Sequence, residues 1–578
     1  MQLQGTVRGR LTRGLRRWPV GLLVAALLVL VVYPTVMVAY ASFLDSPPRP
    51  SQVGGALSLN AYERLIGPRL VTATLNSLRI TLGGTAVALA LGGLLAWLGA
   101  RTDIPARWLV GVAGVSPLFI SALVASIAWS FLGSPRTGYL NTILADLGVT
   151  YRVNLYSVGG MIFVFGIYYA PYSYVLISSA FSLMNPQLEE AAGVHGASLR
   201  TVARTITFPL ALPAIAGSVL LTFILIFENF PVPQVLATPA GISTLPTLIL
   251  RLMTSSAPPR SNEAAAVGTT MMVVMILVVI MQRRIVASRD YATLTGKGYQ
   301  PRRIQLGAWR IPALAFVVTY VFVAVILPYI ALFFIAFRQG TFITSTAELF
   351  DWSRLDFGRF YEIVLSGSNW SNTMWIAMRN SLVIGVNTAV FGTLLYLAMG
   401  VVVYRTQWKG RGIFEFIASV PLAVPALSLS MGFLWAWFAL PVSLNGTLTI
   451  LVLAYIARFM PQGFRGASTN LVQVGKDLED SAVVAGASRY RGFFDITFPL
   501  IRPSVVSTAV LLLILSMREL TSAIFLFTSR TRVLSVYIFN LFDDGMLPQA
   551  AMISIVYSAI LLLIVLASQR FAQLKQDG

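Results

Sequence analysis

Long apolar runs recur throughout the chain, separated by polar segments. An α-helix rises ~1.5 Å per residue, so about 20 apolar residues carry it across the ~30 Å hydrocarbon layer of a bilayer. Runs of that length predict membrane-spanning helices near residues 20–42, 72–99, 108–132, 159–181, 211–230 and 264–282. A second set falls near 311–336, 377–404, 412–439, 448–469, 502–526 and 549–568. The expected fold class is all-α: a polytopic membrane protein with about twelve transmembrane helices. The first run follows a basic stretch, as in a signal peptide. Residues 20–40 are nonetheless long enough to span, and no small-residue cleavage site is obvious, so an uncleaved first helix is expected.

The polar segments set the orientation. Arg8, Arg10, Arg13, Arg16 and Arg17 precede the first span with no acid among them. Arg283, Arg284, Arg289, Lys297, Arg302, Arg303 and Arg310 lie between the sixth and seventh spans, with Asp290 as the only acid. Basic residues in short segments beside span ends are retained in the cytoplasm. A cytoplasmic N-terminus then places residues 101–107, 182–210, 283–310, 405–411, 471–500 and the C-terminus inside. On the other side, 46–70 and 338–375 are long enough to offer area to an extracytoplasmic partner, or to be ordinary connections.

Two halves repeat. Asn76-Ser77-Leu78 matches Asn380-Ser381-Leu382, Arg101-Thr102 matches Arg405-Thr406, and Pro117-Leu118 matches Pro421-Leu422, all at an offset of 304. From Pro171 and Pro461 onward the offset is 290, which places a deletion ahead of the second half's fourth span. Six spans per half make the halves enter the membrane in the same sense, a parallel repeat about an axis along the membrane normal. The expected units are residues 1–290 and 291–578, with polar loops 182–210 and 471–500 on one side.

Those loops are copies. The first reads Glu190-Ala191-Ala192-Gly193-Val194-His195-Gly196-Ala197-Ser198, then Ile206-Thr207-Phe208-Pro209-Leu210; the second reads Asp480-Ser481-Ala482-Val483-Val484-Ala485-Gly486-Ala487-Ser488, then Ile496-Thr497-Phe498-Pro499-Leu500. Asn185 or Asp477 can cap a short helix, with Pro186 in the first turn of the earlier copy. Glu189 and Glu190, or Glu479 and Asp480, then sit near its positive end. Gly196 and Gly486 permit a sharp turn, and Ser198 and Ser488 can cap a second helix. A short acidic helix of this kind suits insertion into a groove on another protein.

Composition narrows the chemistry. The 578 residues are 56% hydrophobic and only 11% charged, with mean hydropathy +0.76. The net charge of +20 reads as topology signal and anionic-lipid contact, and no nucleic-acid partner is expected. No cysteine is present and His195 is the single histidine, so thiolate chemistry and multi-histidine metal sites are excluded. Gly296-Lys297 lacks the upstream glycine and following Ser/Thr of a phosphate loop. No catalytic or metal residues are expected, and no cofactor bound by this chain.

The loop pattern E-A-A, three residues, G, nine residues, I-x-[L/F]-P resembles that of permease subunits in binding-protein-dependent ABC importers. Glu190, Ala191, Ala192, Gly196, Ile206 and Pro209 match; the second copy departs at Asp480 and Ser481 but keeps Ala482 and Gly486. One chain carrying two permease units resembles the ferric-iron permease family, whose relatives include putrescine (a polyamine), thiamine and phosphonate permeases. The resemblance implies a type I importer permease in a bacterial inner membrane. It implies two cytoplasmic ATP-binding cassette subunits docked on the loops, which carry ATP and Mg, and a periplasmic substrate-binding protein. Met517-Arg518-Glu519-Leu520 is similar to a segment of the iron branch, so ferric iron is the expected substrate.

Ionisable residues at membrane depth are costly unless paired or facing water. Glu228-Asn229 and Arg518-Glu519 superpose at offset 290 and are candidates for a translocation pathway or gate; a structural ion pair is the plain alternative. Arg79 and Arg458 are weaker candidates. Asn76 and Asn380 are expected to bond between helices. A rival reading is a twelve-span secondary transporter driven by a proton or sodium gradient, with Glu228 and Glu519 as its ion site.

Overall fold

The computed structural model describes residues 18–49, 52, 54–184, 186–287, 303–440 and 443–573. The basic cluster at residues 8–17, Asn185, and Arg289, Asp290, Lys297 and Arg302 of the linker lie outside them.

Among the described residues, nine helices are long and apolar enough to cross a membrane: Pro19–Ser42, Pro68–Arg101, Val158–Leu183, Arg200–Phe227, Ser261–Gln282, Gly307–Phe337, Asn369–Arg405, Arg489–Arg518 and Leu547–Ala567. Counting each bent pair as one span raises this to eleven, against the expected twelve. The third and ninth spans, expected to be continuous, are bent pairs: Arg107–Phe119 with Ala122–Leu132 at 96°, and Gly412–Leu422 with Ala426–Phe438 at 111°. Pro117 and Pro421 sit in the turns at the breaks, where a helix interior would lose a donor and clash with the carbonyl four residues back. The tenth span is likewise two helices, Leu448–Arg458 and Met460–Gln473, parted just ahead of Pro461. The second of these carries Gln462, Arg465 and Asn470 and is too polar to count as a membrane crossing.

Prolines also shape the helices they do not break. Widened π turns at Leu28–Val32, Ala203–Thr207, Phe322–Ile326 and Phe493–Thr497 each end two residues before a proline, at Pro34, Pro209, Pro328 and Pro499. One extra residue in the turn accommodates the missing N–H and the ring. The fifth and eleventh spans therefore begin well inside the copied loops, at Arg200 and Arg489, rather than near 211 and 502. They also stop earlier than expected. Glu519 Oε1 accepts from the Ser522 N–H at 2.7 Å and Asn229 Oδ1 from the Val232 N–H at 3.1 Å, so these side chains compete with helical bonding.

The repeat has a structural counterpart beyond those spans. Short helices Leu245–Thr254 and Leu534–Asp543 follow the fifth and eleventh spans. Their first N–H groups donate to Ser77 Oγ and Ser381 Oγ, each at 2.8 Å. Asn76 donates to the Ser243 carbonyl, and Asn380 to those of Arg530 and Arg532. The Asn-Ser-Leu signature thus ties the second and eighth spans to those helices.

The halves interlock. At Gly432 in the ninth span, a Cβ would sit 2.2 Å from the Pro34 carbonyl oxygen of the first span, so only glycine allows this approach. Tyr320 of the seventh span donates to the Ile167 carbonyl of the fourth at 2.9 Å. Leu22, Val29, Val36, Leu277, Leu563 and Leu566 remain exposed, as expected for surfaces that face lipid.

Candidate functional site

The copied loops fold as matching pairs of short helices. Pro186–Val194 and Lys476–Val484 come first, then Leu199–Val202 and Arg489–Gly492. Gly475, not Asp477, occupies the N-cap of the later copy, and Asp477 and Glu479 lie in its first turn. Gly196 and Gly486 make the turns at φ +80° and +95°. Ser198 and Ser488 accept from the N–H groups of Thr201 and Arg491, both at 3.2 Å.

The acids of each loop divide. Glu190, Asp480 and Ser481 are exposed, as are Ala191, Gly196 and Gly486, while Ala192 and Ala482 are half-buried. Glu189 is buried: it pairs with Arg101 at the end of the second span and accepts from Thr207 Oγ1 at 2.7 Å. Glu479 repeats the arrangement, with Arg405 Nε at 3.0 Å and a hydrogen bond from Thr497. Within each pair of adjacent acids, then, Glu190 and Asp480 face outward, while Glu189 and Glu479 turn toward the span end. A carboxylate in the first turn folds inward because a buried guanidinium at the neighbouring span end offers a partner. The outer faces instead carry Leu188 with Val194 and Leu478 with Val484; the two valines are 86% and 89% exposed.

The four intramembrane candidates converge. Glu228, Asn229, Arg518 and Glu519 all line one cavity of about 150 Å³ between the halves, with Arg458, Gln462, Tyr169 and Tyr172. Glu228 pairs with Arg458 across the halves and accepts from the Ala426 N–H at 3.3 Å, the first residue after the break in the ninth span. Arg518 donates to the carbonyls of Leu118 and, at 3.0 Å, Ile120, beside the break in the third span. Equivalent positions thus reach the opposite half's broken helix with opposite polarity. The acid meets a helix N-terminus, and the base meets the carbonyls that end the other helix. Asn229 donates to Tyr169 Oη at 2.7 Å.

Sequence reasoning ranked Arg458 low and did not single out Gln462, Tyr169 or Tyr172. The signal for Arg458 was its charge just before Pro461. Nothing local marks the tyrosines. Arg79 lies exposed, away from this cavity. His195 is an exposed loop residue whose Nδ1 is 2.8 Å from the Ala191 carbonyl.

A larger cleft, about 1130 Å³, has no residue of the copied loops in its lining. Residues of the 46–70 segment line it, including Arg49 and Arg64, together with Asp45, Arg260, Glu263, Trp435 and Phe438.

The family described as "Binding-protein-dependent transport system inner membrane component" matches the chain twice, at residues 84–289 and 392–574, together more than half of its length. The chain is similar to a ferric transport system permease protein of Actinobacillus pleuropneumoniae, with 26% identity over 95% of this chain and 77% of that protein. It is also similar to a putative 2-aminoethylphosphonate transport system permease protein of Salmonella paratyphi A, 31% identical over 34% of this chain and 75% of that one. A solved bacterial ABC transporter involved in import of the acidic polysaccharide alginate aligns over 49% of this chain and 99% of its own, at 22% identity and a TM-score of 0.41. The family match displaces the gradient-driven reading. The chain belongs to the binding-protein-dependent transport system inner membrane components, as a two-unit permease of an ABC importer.

Proposed function

We propose that the chain forms the whole transmembrane path of an importer that receives ferric iron from a periplasmic binding protein and passes it to the cytoplasm. The observation that carries the proposal is the pair of matching short helices, each with an exposed valine and an exposed acid anchored from beneath by an Arg–Glu–Thr cluster, buried in the first loop and partly buried in the second. Each helix docks on a separate ATPase subunit, which holds ATP and Mg. Leu188 with Val194, and Leu478 with Val484, supply the apolar contact, while Glu190 and Asp480 supply charge. Ala191, Ala192, Ser481 and Ala482 keep the approach close, and Gly196 and Gly486 set the angle. Glu189 and Glu479 act one step behind, transmitting displacement of the loop to the ends of the second and eighth spans. The repeat units are residues 1–290 and 291–578, and both termini lie in the cytoplasm.

Closure of the ATPase dimer shifts both loops and, through the fifth and eleventh spans, the charged cavity at their far ends. Glu228, Asn229, Arg518 and Glu519 are the gate in this reading, because each half's charged residue grips the other half's broken helix. The binding protein docks over the cleft rimmed by Arg49, Arg64 and Arg260. A second substrate reading, a phosphonate, is supported by two arginines in one cavity, a donor set suited to oxyanions.

The test is charge reversal at both loops. Glu190→Lys with Asp480→Lys is expected to abolish co-purification of the ATPase and ATP-dependent uptake of ferric iron into proteoliposomes. Unchanged co-purification would show that docking lies elsewhere. Uptake of a phosphonate but not of iron by the parent chain would move the assignment to the second substrate.

A further inference from the structure

Residues 304–310, leading into the seventh span, lie against the first half. Ile304 donates its N–H to the Arg101 carbonyl at 2.8 Å, and the Asp103 N–H donates to the Ile304 carbonyl at 3.2 Å. Leu306 donates its N–H to Asp103 Oδ1 at 2.9 Å, and Arg310, at the start of the seventh span, pairs with the other carboxylate oxygen. Four contacts thus clamp residues 304–310 onto the end of the second span. Arg101 stands at that end, and its side chain holds Glu189 of the first loop helix.

The clamp bears on Arg101 for a physical reason. The guanidinium is 2% exposed, and its Nε and Nη1 have no partner. A buried charge so sparsely bonded keeps its geometry only if its backbone is held. The last carbonyls of a helix have no partner within it, and Ile304 supplies one from outside. In the second half Arg405 is held differently, by its own side chain, which donates to the Val474 carbonyl at 2.9 Å as well as pairing with Glu479. Among the described residues, no backbone hydrogen bond joins residues 405–407 to another segment.

We infer that Ile304, Arg310 and Asp103 are positioning residues forming a latch that ties the seventh span to the first loop helix, so that loosening it frees the first loop and leaves the second as it was. Movement of the second half's first span reaches Pro186–Val194 through Arg310, Asp103, Arg101 and Glu189. Among the described residues, Lys476–Val484 has no such tie to the other half. The functional consequence rests on the reading of these helices as ATPase docking surfaces; the latch itself does not.

The chain has no cysteine, so Val194→Cys or Val484→Cys gives a single spin-label site. In the full-length protein in nanodiscs, Asp103→Ala, and separately Ile304→Pro, which removes the N–H given to Arg101, are expected to raise the mobility of the label at 194, read as narrower lines. The label at 484 should keep its spectrum. Arg310→Ala, at a half-exposed side chain, tests the same latch with little risk to folding. An unchanged spectrum at 194 in all three variants overturns the latch, as does equal loosening at 194 and 484. Oxidant-driven disulfide cross-linking of either cysteine to a cysteine introduced on the ATPase is read separately: its failure in the single-cysteine chains that keep the latch sinks the docking surface, while the difference in mobility still decides the latch.

Discussion

The Glu228–Arg458 pair offers the sharpest test of the path through this protein. Glu228 is 5% and Arg458 13% exposed, so both charges are largely withdrawn from bulk solvent, and they join opposite halves. Glu228→Gln keeps the shape and an acceptor for the Ala426 N–H but strands the guanidinium. Removing one partner of a buried pair costs about 3–5 kcal/mol, and Glu519, which also acts on Arg458, places the expected loss at the lower end of that range. Arg458→Met leaves the carboxylate stranded instead. Combining Glu228→Leu with Arg458→Met removes both charges, and such replacements are often neutral. Unfolding by denaturant in mixed micelles should therefore show two destabilised single variants and a double variant close to the parent. With the Glu228→Leu single variant closing the cycle, additivity of Glu228→Leu and Arg458→Met in the double, to within about 0.5 kcal/mol, would refute direct coupling. ATP-driven uptake then separates a strut from a gate. If the pair only fastens the halves, the apolar double variant transports; the gate reading expects it to stay inactive although its stability has returned.

Two further outcomes are expected. Gly432→Val places side-chain atoms against the Pro34 carbonyl, where even a Cβ would stand at 2.2 Å, and should destabilise the protein by at least the ~1–3 kcal/mol typical of overpacking, read as a lower unfolding midpoint. In the 338–375 segment, a hydrogen bond from Thr344 and then the buried Arg338 hold the Glu348 carboxyl below the usual carboxylate range, with Arg354 adding to the effect. A depressed folded-state value means that its stabilisation is fully present above that range and is lost as pH falls through the depressed value. Protection of the Gln339 and Asp356 N–H groups, which bond to the Arg354 and Phe337 carbonyls, measured relative to their intrinsic exchange rates, should fall in acid, and Glu348→Gln should abolish that pH dependence.

The amino-acid sequence by itself determined the membrane class, the two-fold repeat and the paired loops. Length of apolar run and spacing of identical residues are local quantities, and a span of about 20 apolar residues has few alternatives to a helix in lipid. It also marked Glu228, Asn229, Arg518 and Glu519, because charge inside an apolar run is conspicuous wherever the run goes. Other features depended on which neighbour each side chain met. Glu189 and Glu190 are adjacent and chemically identical, yet one pairs with Arg101 and the other faces outward, a choice made by the end of a helix 88 residues earlier. Pro117 and Pro421 marked the repeat but not the bends of 96° and 111°, since a proline can also be absorbed, as Pro171 is inside a continuous helix. Arg458 acquired its partner from the other half, and Tyr169 and Tyr172 entered the cavity only when the fourth span packed beside the fifth. The tie between residue 304 and residue 101 follows the same rule: hydrogen bonds are short-ranged, so a contact across two hundred residues exists only once the helices between them have been placed.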